Sequence, residues 1–138
     1  MTADQVVESG QSTGLAQYII LGLTVLFTFG ATLQLFIAGL STFDSGLYWS
    51  DHVSLGRAIA PMALLLPFVA LFGRLGRRTT ILGAAVAVLY ILQVLFTYTD
   101  IGPLAAVHAL NTIPLLVIPV MLGLEAWRVV RNSPRQDD

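Results

Sequence analysis

The chain has no cysteine. That excludes disulfides, thiolate metal sites, iron–sulfur clusters and covalently attached c-type haem. It has no lysine either: all seven basic residues are arginine, a usage that fits genome bias or a salt-adapted host. Charge of any kind is scarce, at 11% of 138 residues, where soluble domains carry about 25%. The formal net charge of −1 gives nucleic acid no electrostatic hold, so no nucleic-acid partner is expected. No nucleophile triad, phosphate-binding glycine loop or zinc protease motif is found along the chain.

What fills the chain instead is apolar: 56% of residues are hydrophobic and the mean hydropathy is +0.80. Such a composition belongs in a lipid bilayer. Four apolar runs are long enough to cross one, each near the ~20 residues a span requires. They cover residues of about 15–40, 51–72, 79–98 and 104–127. The expected fold is all-α: an integral membrane four-helix bundle at residues 14–128, built from two similar helical hairpins. Flexible segments are expected at 1–13 and 129–138. Ser12 or Thr13 can cap the first helix and Ser50 the second. Pro61 and Pro67 fall inside the second span, Pro114 and Pro119 inside the fourth; membrane helices tolerate such kinks. The residues before the first run include Asp4 and Glu8 and no Arg, the reverse of a secretory n-region, so that run is expected to stay as a helix.

Arginine placement predicts orientation. Arg74, Arg77 and Arg78 lie between spans two and three, and Arg128, Arg131 and Arg135 follow span four. The other two connections carry Asp44, Asp51 and Asp100 and no base. The positive-inside rule then predicts a multi-pass protein with both termini cytoplasmic; the plasma membrane of a prokaryote is the expected location.

The hairpins resemble each other. Span one ends in Gln34-Leu35-Phe36-Ile37 and span three in Gln93-Val94-Leu95-Phe96. After each comes a turn, then a helix with a histidine near its start and two prolines further on. The Gln-to-His spacings are 18 and 15 residues. A two-fold axis along the membrane normal would make His52 and His108 symmetry mates facing each other across the bundle.

These are the chain's two histidines, and both lie near helix N-termini, where the dipole favours neutral imidazole, the metal-binding form. Gly56, Ala60 and Ala63 share the His52 face, leaving room for a flat ligand or for close helix packing. Asn111 and Thr112 follow His108 by one turn and can hydrogen-bond an imidazole or a ligand edge. Arg57 can hold a haem propionate or snorkel to the interface. Gln34 and Gln93 can bond between helices or line a cofactor pocket. Two histidines are too few for a metal held by protein ligands alone, whereas haem needs only two axial ligands. The expected cofactor is therefore haem b, with His52 and His108 on the iron and Arg57, Gln34, Gln93, Gly56 and Asn111 around it.

The pattern resembles one four-helix half of the haem A synthase family, and small uncharacterised four-helix membrane proteins of the same layout. The residues that carry the resemblance are Gln34 with Ala38-Gly39-Leu40-Ser41, His52 with Gly56-Arg57, Gln93-Val94-Leu95-Phe96, and His108. It spans residues of about 18–125. It implies a haem bracketed by histidines on the second and fourth helices, hence by His52 and His108. The family's glutamate three residues before the first histidine, tied to haem oxidation, is Trp49 here. The resemblance thus implies the haem-binding layout more than haem A synthesis.

The expected role is electron transfer or haem-linked redox chemistry, with a quinone or a redox protein as partner. Two alternatives stand beside it: a non-catalytic accessory subunit of a larger membrane complex or homo-oligomer, and a compact haem-modifying enzyme. The enzyme would require an acid facing the bundle, from among Asp44, Asp51 and Asp100.

Overall fold

Every backbone N–H and C=O in hydrocarbon requires a partner, and a helix supplies one within its own segment. The apolar runs accordingly form helices. The computed structural model describes residues 3–99 and 101–132, with side chains from Gly14 onward except at position 105. Among the described residues, four helices are long and apolar enough to cross a membrane: α1 (Ala3–Phe43), α2 (Trp49–Phe72), α3 (Arg77–Leu95) and α4 (Gly102–Asn132). No strand is present among them.

Each helix packs on its chain neighbours and α1 also packs on α4. The result is a closed ring in which α2 and α4 occupy one diagonal and α1 and α3 the other. The core is read from one stripe per helix, at spacings of three, four or seven. On α2 it is Ile59, Ala63, Leu66 and Ala70; on α4 it is Leu115, Leu122 and Ala126. On α1 it is Ile20, Phe27 and Ala31, and on α3 Val86 and Tyr90. Large apolar side chains such as Phe29, Phe36, Leu65, Phe68, Leu110 and Ile113 point outward, which is stable only against lipid.

Small residues set the helix spacing, as they do where lipid removes the hydrophobic drive for association. A Cβ at Gly83 would sit 3.1 Å from the backbone of Leu66 and Pro67, so α3 rides directly over the second proline of α2. Gly123 of α4 faces Thr24 of α1 in the same manner. Thr24 is buried and returns its hydroxyl to its own helix, on the carbonyls of Ile20 and Leu21 at 2.9 and 3.0 Å.

The element ends differ from expectation in three places. α1 begins at Ala3, well before residue 15, so residues 3–13 are helical where a flexible segment is expected. Asp4 and Glu8 near the positive end of the helix dipole favour this extension, and no proline interrupts it. α2 starts at Trp49, without a Ser50 cap: a 3₁₀ turn at Gly46–Tyr48, capped by Ser45, feeds straight into it. α4 runs on to Asn132, beyond the expected end at 128, while residues 133–138 and Asp100 lie outside the described residues. The turn between α2 and α3 passes through Gly76 at φ 91°, a left-handed conformation that suits glycine.

Candidate functional site: a histidine pair at the acidic end

Continuing each core stripe toward the end that carries Asp44 and Asp51 brings it to a polar residue. Seven residues before Ile59 on α2 is His52, and seven before Leu115 on α4 is His108. Seven after Phe27 on α1 is Gln34, and seven after Val86 on α3 is Gln93. The bundle therefore closes at this end with a layer of two histidines on one diagonal and two glutamines on the other.

The layer is built twice by the same bond. His52 Nδ1 lies 3.1 Å from the main-chain oxygen of Gln34, and His108 Nδ1 lies 2.8 Å from that of Gln93. A carbonyl oxygen only accepts, so Nδ1 carries the proton in both rings and Nε2 keeps the lone pair. Each ring is thereby fixed in one tautomer and one orientation, as metal-ligating imidazoles are. Gln93 stands in the last turn of α3, where carbonyls run short of in-helix donors. The two rings meet across the diagonal with centroids 6.4 Å apart and planes at 65°.

The surroundings differ between the hairpins. Asn111 donates to the carbonyl of Leu89 at 2.8 Å and to Gln93 Oε1 at 2.7 Å. Gln93 Nε2 in turn donates to Thr112 Oγ1 at 3.2 Å and reaches His108 Nε2 at 3.4 Å. In the first hairpin the positions of Asn111 and Thr112 are taken by Leu55 and Gly56. Gln34 Oε1 is buried there without a donor among the described residues. The Gln34 Nε2 fills the space a Cβ on Gly56 would occupy, 2.6 Å away. His52 has instead the indole of Trp49, stacked at 5.0 Å and 15°.

The structure thus brings together His52, His108, Gln34, Gln93, Gly56 and Asn111. Asn111 bonds the glutamine amide rather than an imidazole. Arg57 is not brought in: it falls off the 52–56–59 stripe and its side chain is exposed on the outside of α2. Asp44 and Asp51 are exposed as well, and Asp100 lies outside the described residues. Two contributors were not foreseen. Tyr90 is buried one turn below Gln93, donates its hydroxyl to the Gly56 carbonyl at 2.6 Å, and packs edge-on against Phe27. Trp49, read as a boundary aromatic, stacks on His52. A tyrosine on the core stripe three residues before Gln93 was the available signal for the first.

Among the described residues no group of three or more His, Cys, Asp or Glu comes together. Ligands from the protein alone therefore do not complete a metal site here. Two imidazoles are the number of protein ligands that an iron held by a tetrapyrrole would take, and the Nε2 of His108 is met here by Gln93 Nε2. Binding at His108 requires Gln93 Nε2 to turn from that nitrogen, giving up its longest contact, while Asn111 keeps hold of Gln93 Oε1.

Comparison with known proteins adds a family without a function. Residues 34–100 match DUF6220, a family of unknown function. The match is just under half of the chain, and it takes in Gln34, His52, Gly56, Tyr90 and Gln93 but stops short of His108. No curated protein and no solved structure matches the chain. None of these comparisons links it to the haem A synthases.

Proposed function

We propose that this protein is a small membrane haem protein in which His52 and His108 are the axial ligands of one b-type haem, serving electron transfer. The observation that carries this reading is the diagonal histidine pair, each Nδ1–H tied to the glutamine carbonyl of the preceding helix. Two imidazoles facing each other across one diagonal, with ring centroids 6.4 Å apart, would supply the two protein ligands that a haem iron takes.

Bound there, the haem supplies a one-electron couple. The chain's own residues hold it and set its surroundings. The Gln34 and Gln93 carbonyls fix both imidazoles as Nε2 ligands and raise their basicity through the Nδ1–H bonds. The apolar stripes beneath the layer exclude water, a lever on redox potential. A quinone or a redox protein is the electron partner.

Orientation belongs to the same reading. Arg74, Arg77 and Arg78 flank the α2–α3 turn, and Arg128 and Arg131 the end of α4, where Arg78 and Glu125 pair at 3.4 Å. Arginines collected at one end favour the cytoplasmic side for that end and for both termini. The histidine layer then faces the outer leaflet of a plasma membrane.

A second reading is favoured by the bond from the Tyr90 hydroxyl to the Gly56 carbonyl: a hydrogen-bonded latch joining the two hairpins in an accessory subunit. The haem content of protein purified in detergent, after haem is supplied during expression, separates the two. The haem reading predicts about one haem per chain; a flat visible spectrum would overturn it in favour of the latch.

A further inference from the structure

We infer that the pocket beside the α2–α3 turn binds the headgroup of an anionic phospholipid in the leaflet at that end, held by Arg74 and Arg77. The inference is independent of the haem reading and concerns the opposite end of the bundle.

The pocket has a volume of about 460 Å³. Arg74, Gly76, Arg77 and Thr80 line it, and Leu71 and Ile81 form its apolar side. Among the described residues neither the Arg74 nor the Arg77 guanidinium has a carboxylate partner; Arg78, next along, is the one that pairs, with Glu125 at 3.4 Å. The Thr80 hydroxyl is already given to the Gly76 carbonyl at 3.0 Å. The side-chain donors left to face a ligand are therefore two guanidiniums. Like charges on one pocket repel, and an anion between them replaces the repulsion with charge-assisted hydrogen bonds. Phosphate oxygens match the planar fork of arginine.

The backbone gives a second, independent observation. α2 ends in a Schellman turn: the Leu75 N–H returns to the Ala70 carbonyl at 3.0 Å and the Arg74 N–H to that of Leu71 at 3.1 Å. Such a turn requires one left-handed residue, which glycine normally supplies. Here Arg74 adopts that conformation at φ 52°, while Gly73 beside it stays right-handed. Glycine at 74 would satisfy the turn with less strain. What arginine adds there is a cationic side chain on the pocket.

The apolar side selects a lipid over a soluble anion. Leu71 and Ile81 are 59% and 53% exposed on helices that cross the membrane, so acyl chains can run along them from a headgroup on the arginines. Basic pockets between membrane helices hold anionic headgroups in this manner.

The test is lipid binding by the full-length, delipidated protein in detergent, counted by native mass spectrometry with phosphatidylglycerol and phosphatidylcholine in competition. An arginine near a headgroup contributes about fivefold, so the wild-type protein should prefer phosphatidylglycerol by about twentyfold. Arg74→Gly should lose about fivefold of that preference while thermal stability holds or rises, because glycine relaxes the left-handed turn. Arg77→Gln should lose a similar factor. Arg128→Gln removes the same charge from the same end but outside the pocket, and should lose less than about twofold. A wild-type protein without preference for phosphatidylglycerol overturns the inference. An equal loss in Arg128→Gln also overturns it, since general attraction to the arginine end would then suffice. Displacement of the lipid by millimolar inorganic phosphate overturns it in favour of a soluble anion. Should Arg74→Gly lose stability, the contrast between Arg77→Gln and Arg128→Gln decides.

Discussion

His108 donates its Nδ1–H to the main-chain oxygen of Gln93 across a helical hairpin at 2.8 Å, and His52 repeats the bond to Gln34 at 3.1 Å in the other hairpin. One sequence pattern, Gln before a turn and His after it, thus produces one hydrogen bond twice. Its products face each other across the diagonal of the bundle.

Asn111 is the main brace of that layer. Replacing it with Leu leaves Gln93 Oε1 without its donor and removes the second donor of the Leu89 carbonyl, which keeps its in-helix bond. Unpaired buried polar groups cost about 1–3 kcal/mol. The variant should lose stability by that order in a detergent unfolding titration. A loss below a few tenths would mean that Gln93 finds other partners and that the network does not hold the layer.

The glycines predict a graded series. Gly83→Ala places a Cβ 3.1 Å from backbone atoms of Leu66 and Pro67, which cannot rotate away. Overpacking of this kind costs about 1–3 kcal/mol. Gly56→Ala meets only the end of the Gln34 side chain, which can turn, so a smaller loss is expected. Gly22→Ala meets nothing within 4 Å and should be neutral or slightly stabilising. The order Gly83, Gly56, Gly22 in loss of thermal stability is the prediction; equal losses at all three would contradict the packing described here.

Tyr90→Phe removes the hydroxyl that ties α3 to the Gly56 carbonyl while keeping the ring against Phe27. A loss of about 1 kcal/mol is expected, with the histidine layer intact. Under the haem reading the reduced visible bands should therefore keep their positions. A large spectral change would show that Tyr90 touches the cofactor.

Much of this was legible in the sequence. Four spans follow from hydropathy and length, and the Gln-to-His register follows from the repeated segment. The outward direction of Arg57 was readable too, because it falls off the stripe of His52, Gly56 and Ile59. What the sequence did not disclose is tertiary. Main-chain carbonyls carry no residue signature, so nothing in Gln34 or Gln93 announced that the backbone, rather than the amide, would take the imidazole. Tyr90 reads as one more apolar-run aromatic until Gly56 is known to lie across from it. The helical start at Ala3 was missed because a polar segment beside a membrane span reads as loop when hydropathy is the guide.

Topology can be tested without background labelling, since the chain has no cysteine. Single substitutions Asp44→Cys and Arg77→Cys at exposed positions of opposite ends should react differently with a membrane-impermeant thiol reagent added to intact cells. Labelling at 44 and protection at 77 is the expected result; the reverse would invert the orientation.

The central claim is the ligation of one iron by His52 and His108. The most direct measurement is the visible spectrum of the detergent-purified protein, oxidised and then dithionite-reduced, beside His52→Ala and His108→Ala. The account predicts a Soret band with sharp reduced α and β bands in the wild type, and loss of that low-spin pattern in either variant. A wild-type spectrum with no visible bands after haem supply, or low-spin bands that survive both substitutions, would contradict it.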